Sequence, residues 1–322
     1  MNLLVGIVLT DASKLIMQFF GACLIFFSFS LINFFIPLNL LAKDSPVLGI
    51  ISNIKGEVNS GSVNNISKGF NGRILRKRHR VRSEKKSGAT IFMNDGSEIR
   101  IFDSTELTIG AKKSHNSRWV RYRIILHKGS FWGHFVRGDN DIEIIAGGLI
   151  LQFSDSIFRL TKKKTGNNIS VSSGIIKVYN NVSSIKISAG QRLYHVSKTD
   201  FLPQKVTLVP NQLKIQLETP VITFNKNRSS ILKLLIKVVR VGSDRNVKRS
   251  GPLLLSSNYY NLTIPDSIKL NESGQARVSM YLKPPSSSDR TFANSIHLNA
   301  IVDQYGYDDL LSAKLNIKID NP

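Results

Sequence analysis

The sequence predicts an all-β protein carried behind an apolar N-terminal run. Three observations point there. Beyond Pro46, apolar and polar residues alternate with period two almost throughout. Clusters of Gly, Asn, Asp and Ser interrupt the alternation at short intervals, and no long amphipathic helix can be drawn between them.

The first element is the apolar run itself. From Leu15 to Ala42 no residue is charged, and Phe, Leu and Ile dominate. As a helix this stretch would be about 42 Å long, enough to cross a hydrocarbon core of about 30 Å with tilt. Pro37 breaks or kinks it near its far end. Residues 1–46 therefore read as a short cytoplasmic head plus a transmembrane signal anchor over 15–42. Two alternatives stay open: Leu40-Leu41-Ala42 before Lys43 offers a signal-peptidase site, and a start at Met17 would make the segment a cleaved signal. A body of about 280 residues behind one N-terminal span is most simply exported. The expected location is the cell inner membrane, single-pass, with the body in the periplasm.

The exported part holds strand after strand. Ile99 and Ile101 alternate with Glu98 and Arg100, Tyr122, Ile124 and Leu126 with Arg121 and Arg123, Ile142 and Ile144 with Asp141 and Glu143, and Ile185 and Ile187 flank Lys186. Turn signals stand at Asn94-Asp95-Gly96-Ser97, Lys128-Gly129, Gly138-Asp139-Asn140, Ser173-Gly174 and Ala189-Gly190. Around Phe201-Leu202-Pro203 the pattern resets, which divides the body into 47–202 and 203–322. In the second part, Leu213, Ile215 and Leu217, then Leu232, Leu234, Ile236 and Val238, and finally Leu315, Ile317 and Ile319 mark strands. About seven such runs fit a β-sandwich of immunoglobulin-like architecture, here without the cysteine pair of antibody domains.

Between Val47 and Val196 the motifs follow an order that resembles the FecR domain, the extracytoplasmic β-domain of iron-citrate-type signalling regulators and other envelope proteins. They are Gly56-Glu57-Val58, the hairpin Ser87-Gly88-Ala89-Thr90-Ile91-Phe92-Met93-Asn94-Asp95-Gly96-Ser97-Glu98-Ile99-Arg100-Ile101, and Glu106-Leu107-Thr108-Ile109. His127-Lys128-Gly129-Ser130-Phe131-Trp132, Ser172-Ser173-Gly174-Ile175-Ile176-Lys177-Val178 and Ile187-Ser188-Ala189-Gly190-Gln191 complete the series. Asp95-Gly96 supplies the positive-φ turn the central hairpin needs. The chain departs from the family at Ser154-Asp155-Ser156, where a Gly-Thr pair is usual, and at Arg78-His79, which replaces a Gly-Asp-like turn. The resemblance implies an envelope β-module. Family members that control a sigma factor carry a substantial cytoplasmic segment, whereas Met1 to Lys14 is too short for an ordinary folded sigma-binding domain.

Composition narrows the chemistry. Lys and Arg number 44 against 22 Asp and Glu, a net charge of +22, so the body attracts anions. The densest cluster is Arg73, Arg76, Lys77, Arg78, Arg80, Arg82, Lys85 and Lys86, with His79 among them. In the cytosol such a cluster would read as a nucleic-acid patch. Outside the inner membrane no nucleic acid is expected. The partners become the cytoplasmic membrane's anionic lipids, a wall polymer or glycan, or an envelope protein; a solvated loop in a generally basic protein is the plainer alternative.

The lone cysteine, Cys23, lies in the apolar run, which excludes a disulfide framework or cysteine nucleophile in the body. No nucleophile elbow, phosphate loop or zinc-helix motif is present, and no catalytic residue, cofactor or metal site is assigned. His127 and His134 have no usual ligand spacing, and Asp303, Asp308 and Asp309 around Gly306 lack the alternating ligands of a calcium loop. They read as an acidic turn. Tyr122, Phe131, Trp119 and Trp132 are core rings or, near basic residues, stacking surfaces. The function expected is a non-enzymatic binding or scaffolding module of the cell envelope. The alternative is a transmembrane signal-sensing regulator of the FecR type.

Overall fold

The computed structural model describes residues 46–113, 120–136, 142–218, 229–257, 262–265, 267–283 and 295–318. The expected span over 15–42, the turn Gly138-Asp139-Asn140 and Trp119 lie outside these. Among the described residues no helix is long and apolar enough to cross a membrane. The body is all-β: apart from a single 3-10 turn at Leu202–Lys205, its described regular elements are strands.

In chain order the strands of the first part are β1 (Val47–Lys55), β2 (Val58–Ser62), β3 (Asn65–Lys68), β4 (Ile74–Arg76), β5 (His79–Ser83), β6 (Gly88–Met93), β7 (Glu98–Ile101) and β8 (Glu106–Lys113). They continue with β9 (Val120–Phe135), β10 (Ile142–Ala146), β11 (Leu149–Phe153), β12 (Ser156–Lys163), β13 (Gly166–Tyr179), β14 (Ser184–Ser188), β15 (Gln191–Val196) and β16 (Val206–Leu208). The second part holds β17 (Asn211–Leu217), β18 (Ser230–Arg240), β19 (Gly251–Ser257), β20 (Leu262–Thr263), β21 (Ile268–Leu270), β22 (Gln275–Leu282), β23 (Ser295–Val302), β24 (Leu310–Leu311) and β25 (Ala313–Lys318).

Two layers make the first part. One sheet runs β4-β1-β6-β7-β9-β12-β13-β15-β16, and the other runs β3-β2-β5-β8-β9-β10-β11-β13-β14. All neighbours are antiparallel except β9 and β10. Ile51, Ile91, Ile99, Phe131, Phe158 and Leu160 of the first sheet meet Val81, Leu107, Ile124, Ile144, Leu151 and Val178 of the second in one fully buried core. Phe131, Phe135, Phe153 and Phe158 form an aromatic knot within it, with centroids 4.8 to 6.0 Å apart. The first part closes with β16, which pairs with β15 beyond Phe201-Leu202-Pro203, because Leu202 is wholly buried and pins the connection to the core.

Strands β9 and β13 belong to both sheets. The first half of β9 pairs with β8, and its second half pairs with β7 and β12. Likewise β13 pairs first with β12 and β15, then with β11 and β14. Each strand changes sheets at a glycine, Gly129 at φ 86° and Gly174 at φ 81°. Lys128-Gly129 and Ser173-Gly174, read from sequence as turns, are thus corners inside continuous strands. The same property, access to positive φ, serves both structures, so composition alone does not distinguish them.

The second part is a sandwich. A five-stranded sheet, β20-β22-β18-β17-β24, faces a four-stranded one, β21-β19-β23-β25. Leu232, Leu234, Ile236 and Val238 on β18 are buried against Leu253, Leu255, Ile296, Leu298 and Ala300 of the facing sheet. Alternate residues on β19 and β23, among them Leu254, Ser256, Asn299 and Ile301, point away from this core toward the first part.

A Cβ at Gly174 would lie 2.1 Å from the Asp155 carbonyl oxygen, and one at Gly129 would lie 2.4 Å from Thr105 Oγ1. Gly174→Ala and Gly129→Ala should each destabilise the body by more than about 2 kcal/mol, combining φ strain with a clash. Gly190→Ala, at φ 84° with open space around its Cβ position, should cost only about 1 kcal/mol. Urea titration of the three variants measures the ranking.

Candidate functional site

The outer face of the first sheet is polar at alternate positions, as period two dictates, yet much of it is dry. Glu98 and Arg100 on β7, Ser130 and Trp132 on β9, Arg159 and Thr161 on β12, and Asn168 and Ser170 on β13 are all buried. The four-stranded sheet of the second part lies over them. Its β19 and β23 are therefore covered on both faces, one by the sandwich core and one by this joint. Phe102, Trp132 and Ile157 pack with Ile301, and Leu254 joins them.

Two arginines organise the joint. Arg100, with 3% of its side chain exposed, grips Asp303 with both arms: Nε to Oδ1 and Nη2 to Oδ2 are each 2.9 Å. Its third nitrogen donates to the Asn53 carbonyl on β1 at 2.9 Å. Arg159 donates to the Val302 carbonyl at 2.6 Å and the Gln304 carbonyl at 2.9 Å, and stacks over Phe102 at 4.2 Å. Burial pulls its pKa down to about 10, with Asp308 and Asp303 opposing, so it keeps its charge at neutral pH.

The loop between β23 and β24 answers both. Asp308 takes hydrogen bonds from Thr161 Oγ1 and from Asn168 Nδ2 (2.8 Å) and pairs with Lys163 at 3.2 Å, while its carbonyl accepts from Ser170. Asp309 pairs with Arg249 at 2.6 Å, and Gly306 turns the chain at φ 92°. The acidic turn of the sequence is a clasp between the two parts. Among the described residues no group of three or more His, Cys, Asp and Glu could hold a metal.

A second polar pair flanks the clasp. Glu98 Oε2 accepts from Ser256 Oγ at 3.1 Å, and Asn299 Nδ2 lies 3.4 Å from His134 Nδ1. Burial pushes the Glu98 carboxyl up to about 7, with Ser256 and Arg100 drawing it back. Burial also lowers the pKa of His134, helped by Lys314 and His297 and opposed by Asp155. His127 bonds Thr108 Oγ1 at 2.8 Å instead.

The eight basic residues singled out in the sequence do not form one patch. Arg73, Arg76, Lys77 and Arg78 gather at β4 and the β4–β5 turn, where Arg78 takes φ 67° in place of the expected glycine. Arg73 is held by Ser67 Oγ and the Lys68 carbonyl and stacks over Phe70 at 5.7 Å. Arg80 and Arg82 point outward from β5 and pair with Glu106 (3.1 Å) and Glu84 (2.8 Å). Lys85 and Lys86 sit at the far end of β5, about 16 Å away at strand rise. Among them His79 is held below its ordinary pKa by burial and by Arg73 and Arg76, so the charge there is carried by Arg and Lys. Tyr122, Phe131 and Trp132 are buried, as core and joint rings.

Residues 47–209 hold 27 Lys and Arg against 11 Asp and Glu, a surplus of 16, while residues 210–322 hold 15 against 9, a surplus of 6. Residues 1–46 are balanced, with Lys14 and Lys43 against Asp11 and Asp44.

No protein-family model matches the sequence, and no curated protein matches it. Seven chains of solved structures do. They include two crystal structures, at 1.65 and 2.50 Å resolution, of a proposed anti-sigma factor from Parabacteroides distasonis ATCC 8503. Each is 11% identical to this chain, covers 38% of it and superposes with a TM-score of 0.32. The match spans 55% and 56% of those chains, little more than half their length. A likeness this loose leaves function to be argued from the site.

Asp303→Ala should cost about 3–5 kcal/mol, because it strands the Arg100 charge in a dry joint, whereas Arg100→Met with Asp303→Leu should recover most of that loss. Chemical denaturation of single and double variants tests the pair. Glu98 adds a pH signature. Its folded pKa lies above the ordinary 4.5, so its contribution is full below pH 4.5 and is lost as pH rises through about 7, a change of roughly 3 kcal/mol. His134 acts oppositely: its lowered pKa gives stability that is present above 6.5 and lost as pH falls. The difference between wild type and Glu98→Gln isolates the carboxyl, and that difference should favour the variant increasingly from pH 5 to pH 8.

Proposed function

We propose that the chain is a non-enzymatic binding module of the cell envelope, tethered to the inner membrane by the apolar run over 15–42, with a FecR-like domain and an immunoglobulin-like sandwich in the periplasm. The observation that carries this reading is the distribution of charge over the fold. A surplus of 16 positive charges sits on the first part, whose basic side chains at β4, β5 and the β5–β6 turn face outward. Lys77, Arg78, Lys85 and Lys86 are exposed and pair with no described carboxylate. The clasp locks the second part onto the first, so these outward-facing basic side chains are carried on one stiff unit. Such a surface draws in anionic partners from a distance and holds them in a salt-dependent way.

Crosslinking in intact membranes followed by purification should recover an anionic lipid, wall polymer or glycan, or an envelope protein. Recovery should fall several-fold with Lys77→Glu and Arg78→Glu, and when binding precedes crosslinking in high salt. Nothing above background would end the reading. Deleting Met1 to Ser13 should leave transcription unchanged; an altered transcript profile would favour the signalling regulator instead.

A further inference from the structure

The second part covers the first sheet only from β7 onward. Among the described residues the ends of β6, β1 and β4 away from Arg100 are left open, and there the outer face carries a short apolar row where an uncovered sheet face is normally polar. Ile50 stands directly opposite Ile74 on one side and Phe92 on the other, in register across three strands. The three are 40%, 47% and 36% exposed. They form a row about 10 Å wide at ordinary strand spacing. Toward the second part the row runs into an open cleft of about 830 Å³, where Phe92 faces Leu254, Pro265 and Ile268. At its outer edge the row meets the basic group: Arg76 is the register partner of Val47 and shares the outer face of β4 with Ile74, and exposed Lys77 and Arg78 follow.

We propose that this open quarter of the sheet is the protein's contact with an anionic lipid bilayer: the Ile50–Ile74–Phe92 row enters the headgroup zone while Arg76, Lys77 and Arg78 bind lipid phosphates. The inference rests on the tethered reading above and selects one partner from it. Two features of the chain choose the bilayer. Apolar side chains rimmed by Arg and Lys are the chemistry of interfacial membrane binding, and the cationic rim opposes pairing with a second copy of this basic chain. Moreover, only Lys43-Asp44-Ser45-Pro46 separates the end of the apolar run from Val47, the first residue of β1. Five peptide steps span at most about 18 Å. Ile50 lies three residues further on, about 10 Å along the strand. With the run in a bilayer, the row is within tether reach of the lipid surface.

The test uses full-length protein in which Cys23→Ser leaves no native thiol, reconstituted in vesicles of phosphatidylcholine alone or with about one-third phosphatidylglycerol. An environment-sensitive dye is placed at Phe92→Cys, at Lys186→Cys on the exposed face of β14, or at Ser30→Cys within the apolar run. Lipid-borne spin labels should quench the dye at 92 in the anionic vesicles, quench it far less in the neutral ones, and spare the dye at 186. Replacing Arg76, Lys77 and Arg78 by Gln should lower the docked-to-undocked ratio about a hundredfold, roughly fivefold per charge. Quenching at 30 with none at 92 would overturn the docking and leave the tether standing. No quenching at either would overturn both. Equal quenching at 92 in neutral and anionic vesicles would overturn recognition of the headgroup, and shielding of 92 only by an added protein fraction would make the partner a protein.

Discussion

Two guanidinium groups buried between the two parts constrain the body more than any other feature. Arg100 and Arg159 project from one sheet face on either side of Trp132, and a charge held there without partners is costly. Their partners in the other part lie at Val302–Gln304, where β23 ends, 203 residues along the chain from Arg100 in the case of Asp303. Any arrangement that separates the parts must return both arginines, Asp303, Asp308 and Glu98 to water or leave them unpaired. The two β-parts therefore behave mechanically as one.

A polar joint of this kind is a poor source of net stability, because desolvating the ions offsets most of their attraction. It is a good source of register. An apolar joint tolerates sliding by a few ångströms, whereas the two-armed grip of Arg100 on Asp303 and the carbonyl contacts of Arg159 accept one placement. Phe102, Trp132, Ile157, Ile301 and Leu254 supply the apolar contact beside them. The division of labour follows: the rings and aliphatic groups add affinity between the parts, and the ions decide how they meet.

The strands were largely legible in the sequence, since period two reports which residues share a face. Ile99, Ile101, Ile124, Ile144 and the β18 series are all buried as their alternation requires. What period two does not report is what covers the other face. Glu98 and Arg100 sit at positions that normally meet water, and only the long-range docking of β19 and β23 makes them interior. A signal did exist: Ile301 beside Val302 breaks the alternation on β23 and marks a strand with two covered faces. The corners at Gly129 and Gly174 were hidden because a bend within a strand and a turn between strands need the same positive φ. The basic cluster, contiguous in sequence, was dispersed because β5 carries its two ends apart and directs Arg80 and Arg82 to another surface.

The remaining charge bears on stability and binding together. The first part carries a surplus of 16 positive charges, and their mutual repulsion acts against the compact state. Arg80 and Arg82 relieve a little of it through Glu106 and Glu84, and the joint uses most of the second part's nearby acids internally. The repulsion left over at Lys77, Arg78, Lys85 and Lys86 is not compensated within the body. An anion placed there removes repulsion as well as adding attraction, so any anion that binds the folded body stabilises it by linkage. A body balanced in this way is at its most stable when an anion covers the Lys77–Arg78 turn.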